Sequence, residues 1–155
     1  MNSMVRAIPS GYEGPTPYLI VDGAAAAIDF YKKAFGAKEV GRFATPDGKV
    51  GHADVLIGQG HVMLADASPE MGSKAPGAYG GSPISLCVYV DDVDAVVARA
   101  VAAGAKLTRP VADQFYGDRT GGVTDPFGHV WYLMTHVEDV SDEEMRNRMA
   151  SKGQG

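Results

Sequence analysis

Cysteine, excess positive charge and long apolar runs are all scarce in this sequence. The single cysteine, Cys87, excludes an internal disulfide and any multi-cysteine zinc or iron–sulfur site. Fourteen Lys and Arg stand against nineteen Asp and Glu, for a net charge of −5. Nucleic acid is therefore not an expected partner, because phosphate binding needs a basic face. No apolar run approaches the ~20 residues of a membrane span, so no membrane partner is expected either. Met1 to Ser10 lacks the apolar core of a secretion signal, and the expected location is cytoplasmic. No serine sits in a nucleophile-elbow motif, and no Gly-rich phosphate loop follows a strand.

What is present suits one folded domain. The chain has 155 residues, 45% of them hydrophobic and 21% charged. A chain of this size buries roughly two thirds of the surface it exposes when unfolded. Its 20 glycines are spread among turns, as in a protein of many short strands.

The clearest feature is an internal repeat. Val21 to Lys38 reads VDGAAAAIDFYKKAFGAK, and Val90 to Lys106 reads VDDVDAVVARAVAAGAK. Both segments open with Val-Asp, continue into an Ala-rich helical pattern and close on Gly-Ala-Lys, at Gly36 and Gly104. Gly60-His61-Val62 recurs as Gly128-His129-Val130, 68 residues on. Asp22 and Asp91 stand where a helix begins and a carboxylate can meet free N–H groups. Gly36 and Gly104 stand where a helix needs a left-handed cap. Ala27, Phe30, Tyr31 and Ala34 form one helical apolar stripe, and Val93, Val96, Val97 and Ala100 form the other.

Strands follow each helix. In the first copy they are Lys38–Thr45, Val50–Gly58 and His61–Ala67, with a hairpin at Gln59-Gly60. The second copy opens with Ile84–Val90. After its helix come Lys106–Pro110, a less regular stretch to Arg119, Gly122–Thr124 and a final strand, His129–Val137. The reading is an α+β single domain over 1–137. Module one spans about 14–67, a Gly/Pro/Ser-rich linker covers 68–82, and module two spans about 83–137. Residues 138–155 form an acidic C-terminal tail, with a short helix opened by Ser141 at capping-box spacing.

A βαβββ unit used twice resembles the vicinal-oxygen-chelate superfamily of glyoxalase I, extradiol dioxygenases and the bleomycin- and fosfomycin-resistance proteins. The residues that carry the likeness are Val21-Asp22, Ile28-Asp29-Phe30-Tyr31, Phe35-Gly36-Ala37, Val90-Asp91-Asp92-Val93-Asp94 and Asp125-Pro126-Phe127-Gly128-His129. Tyr116-Gly117-Asp118-Arg119 with Thr124-Asp125-Pro126-Phe127-Gly128 is similar to the PhnB-like branch. The resemblance covers roughly Gly14 to Val137. It implies two modules whose curled mixed sheets form a cup, with helices on the outer face, and a homodimer. Some PhnB-like proteins carry a methyltransferase label, but this sequence has no Gly-rich nucleotide loop to support methyl transfer from S-adenosylmethionine.

Strand alternation assigns side chains to the two faces. Leu19, Val21, Ala53, Val55, Ile57, Leu86, Val88, Trp131 and Leu133 are expected under the helices. Tyr18, His52, Asp54, Leu56, Val62, Leu64, Asp66, Ser85, Cys87, Tyr89, Tyr132 and Met134 are expected to line the cup, a polar and apolar mixture that suits a ligand cavity. The same polar residues can instead face bulk water or a partner subunit.

The resemblance implies four metal-ligand positions, which fall at Thr16, near Leu64, at Ser85 and at Tyr132. None is an imidazole or carboxylate, so the expectation is no metal cofactor. Several readings stay open. The first is a metal-independent protein binding a small organic molecule, with Tyr18, Ser85, Tyr89, Tyr116, Asp118, Arg119 and Tyr132 as ligand contacts. In it His52 and Asp54 are a candidate base and its partner, or simply a satisfied polar pair. Arg119 either grips a ligand carboxylate or phosphate, or pairs with Asp118 to hold a loop. The second is a lyase, isomerase or dioxygenase with a divalent metal relocated to His52, Asp54 and Asp66. The third is a non-catalytic sequestering protein of the resistance type, and the fourth a structural domain with no ligand. The residues leave open whether the chain is an enzyme.

Overall fold

The computed structural model describes residues 4–153. The first three residues, and the last two of the expected tail, lie outside the described residues. The chain divides into two compact units, Met1–Gly80 and Gly81–Gly155, and each is a complete module.

The first unit runs β1 (Tyr18–Val21), α1 (Ala24–Phe35), β2 (Lys38–Ala44), β3 (Val50–Ile57) and β4 (Gly60–Asp66). Its sheet has the order β1-β4-β3-β2, with β1 parallel to β4 and the other pairs antiparallel. The second unit runs β5 (Ser85–Tyr89), α2 (Val93–Ala102), β6 (Lys106–Asp113), β7 (Asp118–Thr124) and β8 (Val130–His136). Its sheet repeats the pattern as β5-β8-β7-β6. The α+β class and the twofold use of βαβββ are as the repeat leads one to expect. Each sheet is mixed and curled, with a helix on one face.

Each module buries its helix-side face. In the first, Ala27, Ile28, Tyr31 and Ala34 of α1 are fully buried with Val21, Ala53, Val55 and Leu64 of the sheet. In the second, Val93, Val96, Val97 and Ala100 are buried with Val123, Trp131 and Leu133. Burying one aliphatic or aromatic side chain contributes about 1.5–3 kcal/mol, so these two layers supply most of the driving force.

Four expectations need correction. The helix caps fall one residue later than Asp22 and Asp91. Helix α2 is capped by Asp92, whose carboxylate accepts from the Ala95 N–H at 3.2 Å. Helix α1 is preceded by Gly23, which takes a left-handed conformation at the cap position and offers no side chain to cap it. Asp66, at the end of β4, substitutes for one. Its Oδ1 accepts from the N–H groups of Gly23 and Ala24, both at 2.9 Å, and its Oδ2 from Val50 at 2.8 Å.

The second correction concerns β4. Ile57 pairs with Gly60 across the turn at Gly58-Gln59, so Val55 pairs with Val62 and Ala53 with Leu64. Paired residues share a face, and Val62, Leu64 and Asp66 therefore lie on the helix side. His61, Met63 and Ala65 take the other face. Third, the strands on either side of the less regular stretch between Pro110 and Arg119 are longer than expected: β6 runs on to Asp113 and β7 starts at Asp118, with a turn between them and two register shifts in their pairing. Pro110 is tolerated because β6 is an edge strand paired only with β7. Fourth, the linker 68–82 carries two short 3-10 turns, Pro69–Met71 and Pro76–Tyr79, and a bridge between Ser68 and Ser73.

The tail forms helix α3 (Asp142–Lys152), capped by Ser141 on the Glu144 N–H as its capping-box spacing suggests. Arg148 ties it down. Its guanidinium donates to both carboxylate oxygens of Glu138, to Glu144 and to the carbonyl of Phe115. Where the tail leaves the sheet, Val137 and Glu138 both donate to the Gly117 carbonyl. Gly117 has φ +98, and a Cβ there would lie 2.1 Å from the Glu138 carbonyl oxygen.

Asp66→Ala should destabilise the fold by about 2–4 kcal/mol in urea unfolding, because three backbone donors lose a charged acceptor. A loss below about 0.5 kcal/mol would mean that water takes over the clasp. Burial alone would raise the Asp66 carboxyl, but the bonds from Val50, Ala24 and Gly23 outweigh it and hold its pKa below the ordinary value. Its contribution is therefore present above the unfolded carboxylate pKa and fades as pH falls through the lower folded value. The Ala variant should show a shallower acid limb. Gly117→Ala should cost about 1–3 kcal/mol and speed hydrogen exchange at Val137 and Glu138. Unchanged exchange there would place the tail's anchor elsewhere.

Candidate functional site

Each helix covers one face of its sheet, and the candidate site residues project from the other, here called the open face. In the first module this face carries two separate polar clusters. Asp54 is almost buried, at 6% exposure, although it points away from the helix. Tyr12 covers it. The Tyr12 hydroxyl donates to Asp54 Oδ2, and the His61 Nδ1–H donates to Asp54 Oδ1 at 3.0 Å. The Tyr12 and His61 rings stack with centroids 4.1 Å apart. The hydrogen bond to Asp54 raises the Tyr12 phenol above its ordinary pKa. His52 instead meets the Tyr18 hydroxyl, 2.9 Å from its Nδ1, and the Phe43 ring.

The expected pairing of His52 with Asp54 is thus not formed. The two share a face, but Asp54 is satisfied by Tyr12 and His61. His61 was legible only as the first residue of a strand. The two-residue hairpin turn holds the signal that places it opposite Leu56 and beside Asp54.

In the second module the open face carries Ser85, Cys87 and Tyr89 from β5, Tyr132, Met134 and His136 from β8, and Asp118, Thr120 and Gly122 from β7. Register aligns Ser85 with Val130, Cys87 with Tyr132 and Tyr89 with Met134. Asp118 is buried and joins three strands. It accepts from the Tyr89 hydroxyl at 2.6 Å and lies 2.8 Å from His136 Nδ1. The other ring nitrogen of His136 is 2.7 Å from Asp139. Hydrogen bonds to Asp139 and Asp118 raise the His136 pKa, which favours the imidazolium near neutral pH. Burial pushes the Asp118 carboxyl up, but the bonds from Tyr89 and His136 outweigh it and the net shift is downward. The same bond raises the Tyr89 phenol.

Tyr18, Ser85, Tyr89, Asp118 and Tyr132 therefore lie on open faces of their modules. Tyr116 sits in the turn before β7, half exposed and edge-on to Phe115. Arg119 does not join them. Asp118 and Arg119 are successive residues of β7 and point to opposite faces. Arg119 turns to the helix side, where it donates to both oxygens of Asp94 on α2, at 2.7 and 3.0 Å, and to Asp113 at 3.1 Å. It forms a surface ion pair between helix and sheet rather than a pair with Asp118.

A cationic open-face residue also escaped the sequence reading. Arg109 of β6 holds its guanidinium carbon 5.2 Å from the centre of the Tyr132 ring. Alternation along β6 does not forecast this, because a register shift falls between Leu107 and Arg109.

Asp125, in the turn DPFG, belongs to the scaffold. Its Oδ1 accepts from Phe127 and His129, at 2.9 and 3.0 Å, and its Oδ2 from the Trp131 indole at 2.9 Å. That accounts for a carboxylate at this turn without catalysis.

The residues at the superfamily's metal-ligand positions do not fit a metal. Thr16, Ser85 and Tyr132 offer hydroxyls only. Leu64 faces the helix, and its open-face neighbours are Met63 and Ala65. The relocated set also fails, because Asp66 lies on the opposite face of the sheet from His52 and Asp54 and is engaged by three backbone N–H groups. Among the described residues, no three His, Cys, Asp or Glu side chains are grouped to hold a metal ion. Among the same residues, no helix is long and apolar enough to cross a membrane.

Comparison with known proteins agrees with this architecture. An uncharacterized protein of Mycobacterium bovis is 48% identical over 143 residues, which cover 90% of this chain and 94% of that protein. The crystal structure of TioX from Micromonospora sp. ML1 superposes with a TM-score of 0.62 at 28% identity, covering 83% of this chain and 100% of TioX. A Bacillus cereus PhnB protein, described as a putative 3-demethylubiquinone-9 3-methyltransferase, gives 0.62 at 21% identity over 79% of this chain and 99% of its own, a likeness of fold alone. The model of the glyoxalase/bleomycin resistance protein/dioxygenase superfamily matches residues 15–133, which takes in nearly all of both βαβββ modules. The chain belongs to that superfamily.

Proposed function

We propose that this chain binds a small organic molecule on the open face of its second module, without a metal at the positions used by metal-dependent members of the superfamily. The observation that carries this reading is the composition of that face. Ser85, Cys87, Tyr89, Thr120, Tyr132 and Met134 combine hydroxyls, aromatic rings and thioether or thiol groups. Tyr89 is 61% exposed although the opposite face of the same sheet is a closed apolar core. A few convergent polar groups set among aromatic and apolar ones are what a small-molecule site requires. The hydroxyls at Ser85 and Tyr132 can orient a ligand where His or carboxylate would have gripped a metal.

Two measurements test the reading. Metal analysis of the purified protein should find no stoichiometric nickel, zinc, iron or manganese, and a chelator should leave the melting temperature unchanged. Stoichiometric metal lost in His52→Ala would overturn the metal-free part. In a thermal-shift screen of small organic molecules, a ligand at about a hundred times its Kd adds about 2.7 kcal/mol. For a chain of this size that raises Tm by roughly 5–10 °C. Cys87→Trp places bulk beside Tyr132 without entering the helix-side core, and should abolish the shift. A shift that survives in Cys87→Trp would move the binding site off this face. Turnover of the bound compound would then separate an enzyme from a sequestering protein.

A further inference from the structure

The Arg109 side chain reaches the open face through a deliberate irregularity of the strand. Leu107 pairs with Val123, which is fully buried on the helix side. Arg109, two residues on, would lie on that side too if β6 were regular. The register shift after Leu107 pairs Arg109 with Gly122 instead, and so moves its side chain through the sheet. Bulges of this kind re-aim a side chain at the cost of local ladder hydrogen bonds.

The place Arg109 reaches has been cleared for it. A Cβ on Gly122 would lie 3.0 Å from the Tyr132 ring and 3.2 Å from the Arg109 Cβ. The missing side chain lets guanidinium and ring meet over the strand. Tyr132 then holds the cation against its π face, an arrangement that leaves guanidinium N–H donors available to an anion.

Charge balance points the same way. Arg42, Arg119 and Arg148 each have a carboxylate within 4.0 Å. Among the described residues no carboxylate makes such a pair with Arg109, nor with Arg6, Arg99 or Arg146, but of these four it is Arg109 that lies over an aromatic ring. Lys106 pairs in register with Thr124 and so carries a second positive charge to the same face. Among the described strand residues of this face the carboxylate is Asp118, already engaged by Tyr89 and His136, and Asp139 beyond β8 is taken up by the other nitrogen of His136. Asp118 sits four residues along β7 from Gly122, about 13 Å away. The face therefore has an uncompensated cationic end beside an aromatic ring.

From this we infer that the ligand is an organic anion, with its acidic oxygens on Arg109 and its apolar or aromatic body along Tyr132, Cys87 and Met134. The inference deepens the proposed small-molecule site and rests on it. A guanidinium meets carboxylate, sulfonate and phosphate oxygens through paired N–H donors, so it selects the charged group and leaves the body to the aromatic and apolar contacts.

The test uses two fluorescent probes with similar bodies. 8-Anilinonaphthalene-1-sulfonate carries an anionic group, and N-phenyl-1-naphthylamine lacks it. The sulfonate should bind the full chain more tightly than the neutral probe, with an affinity that falls as salt is added. Arg109→Gln should weaken the sulfonate about tenfold or more while leaving the neutral probe within about twofold. Arg109→Lys should retain part of the sulfonate affinity, since it keeps the charge and loses the fork. Arg109 is exposed and outside the core, so circular dichroism should show both variants folded. If both probes bind, both are lost in Cys87→Trp, and Arg109→Gln changes neither, the anion inference is overturned and the small-molecule site stands. If neither probe binds, or Cys87→Trp leaves both bound, the site and the inference fail together.

Discussion

Each helix of this protein covers one face of its sheet, and that single burial decides what every strand residue can do. A strand sends successive side chains to opposite faces, so a slip of one residue carries a side chain from the chemistry into the core. Trp131, Leu133 and Val123 lie under α2, and Tyr132 and Gly122 beside them face away from it. The same alternation separates Asp118 from Arg119, adjacent in sequence and opposite in role. One closes a hydrogen-bonded junction with Tyr89 and His136. The other staples the sheet to α2 through Asp94.

Carboxylates do much of the structural labour here. Asp66 closes the N-terminus of α1, Asp125 organises the turn before β8, and Asp92 caps α2. Each satisfies backbone donors that a helix or turn would otherwise leave open. Asp54 and Asp118 are different. They sit on open faces, and each gathers a tyrosine and a histidine. In both cases the carboxylate is buried by the groups that bond to it. The exposed surface near each is therefore phenol and imidazole. The two clusters occupy different places in their modules, so they did not arise by copying one motif with the repeat.

The scaffold is duplicated while the open faces have diverged. The strand–helix–strand order, the sheet order and the parallel pairing of first and last strands recur in both units. The face of module one is lined by imidazoles and rings, and that of module two combines a cation, rings and small polar groups. Helix-side positions are held by packing, where a change of volume is costly. Open-face positions are free of that demand, so their side chains can vary from member to member without disturbing the core.

Local pattern in the sequence was enough to determine the modules: the Val-Asp openings, the apolar stripes of the helices, Gly36 as a left-handed cap and the Ser141 cap of α3. Those signals act between residues close in the chain, so no tertiary knowledge is needed to read them. The open-face placement of Tyr18, Ser85, Tyr89 and Tyr132 was also legible, because it follows from simple alternation within strands whose faces are marked by buried neighbours. The face of Asp66 was misread, because the turn falls at Gly58-Gln59 rather than Gln59-Gly60 and sets the register of β4 against β3 accordingly. Three features were decided only by the fold. Asp54 finds His61 and Tyr12 because β3, β4 and the segment ahead of β1 converge. Arg119 finds Asp94 because α2 crosses β7. Arg109 reaches Tyr132 because a register shift in an edge strand breaks the alternation that sequence reasoning depends on. In each case the partner comes from another element, and the register that joins them is a property of the folded sheet.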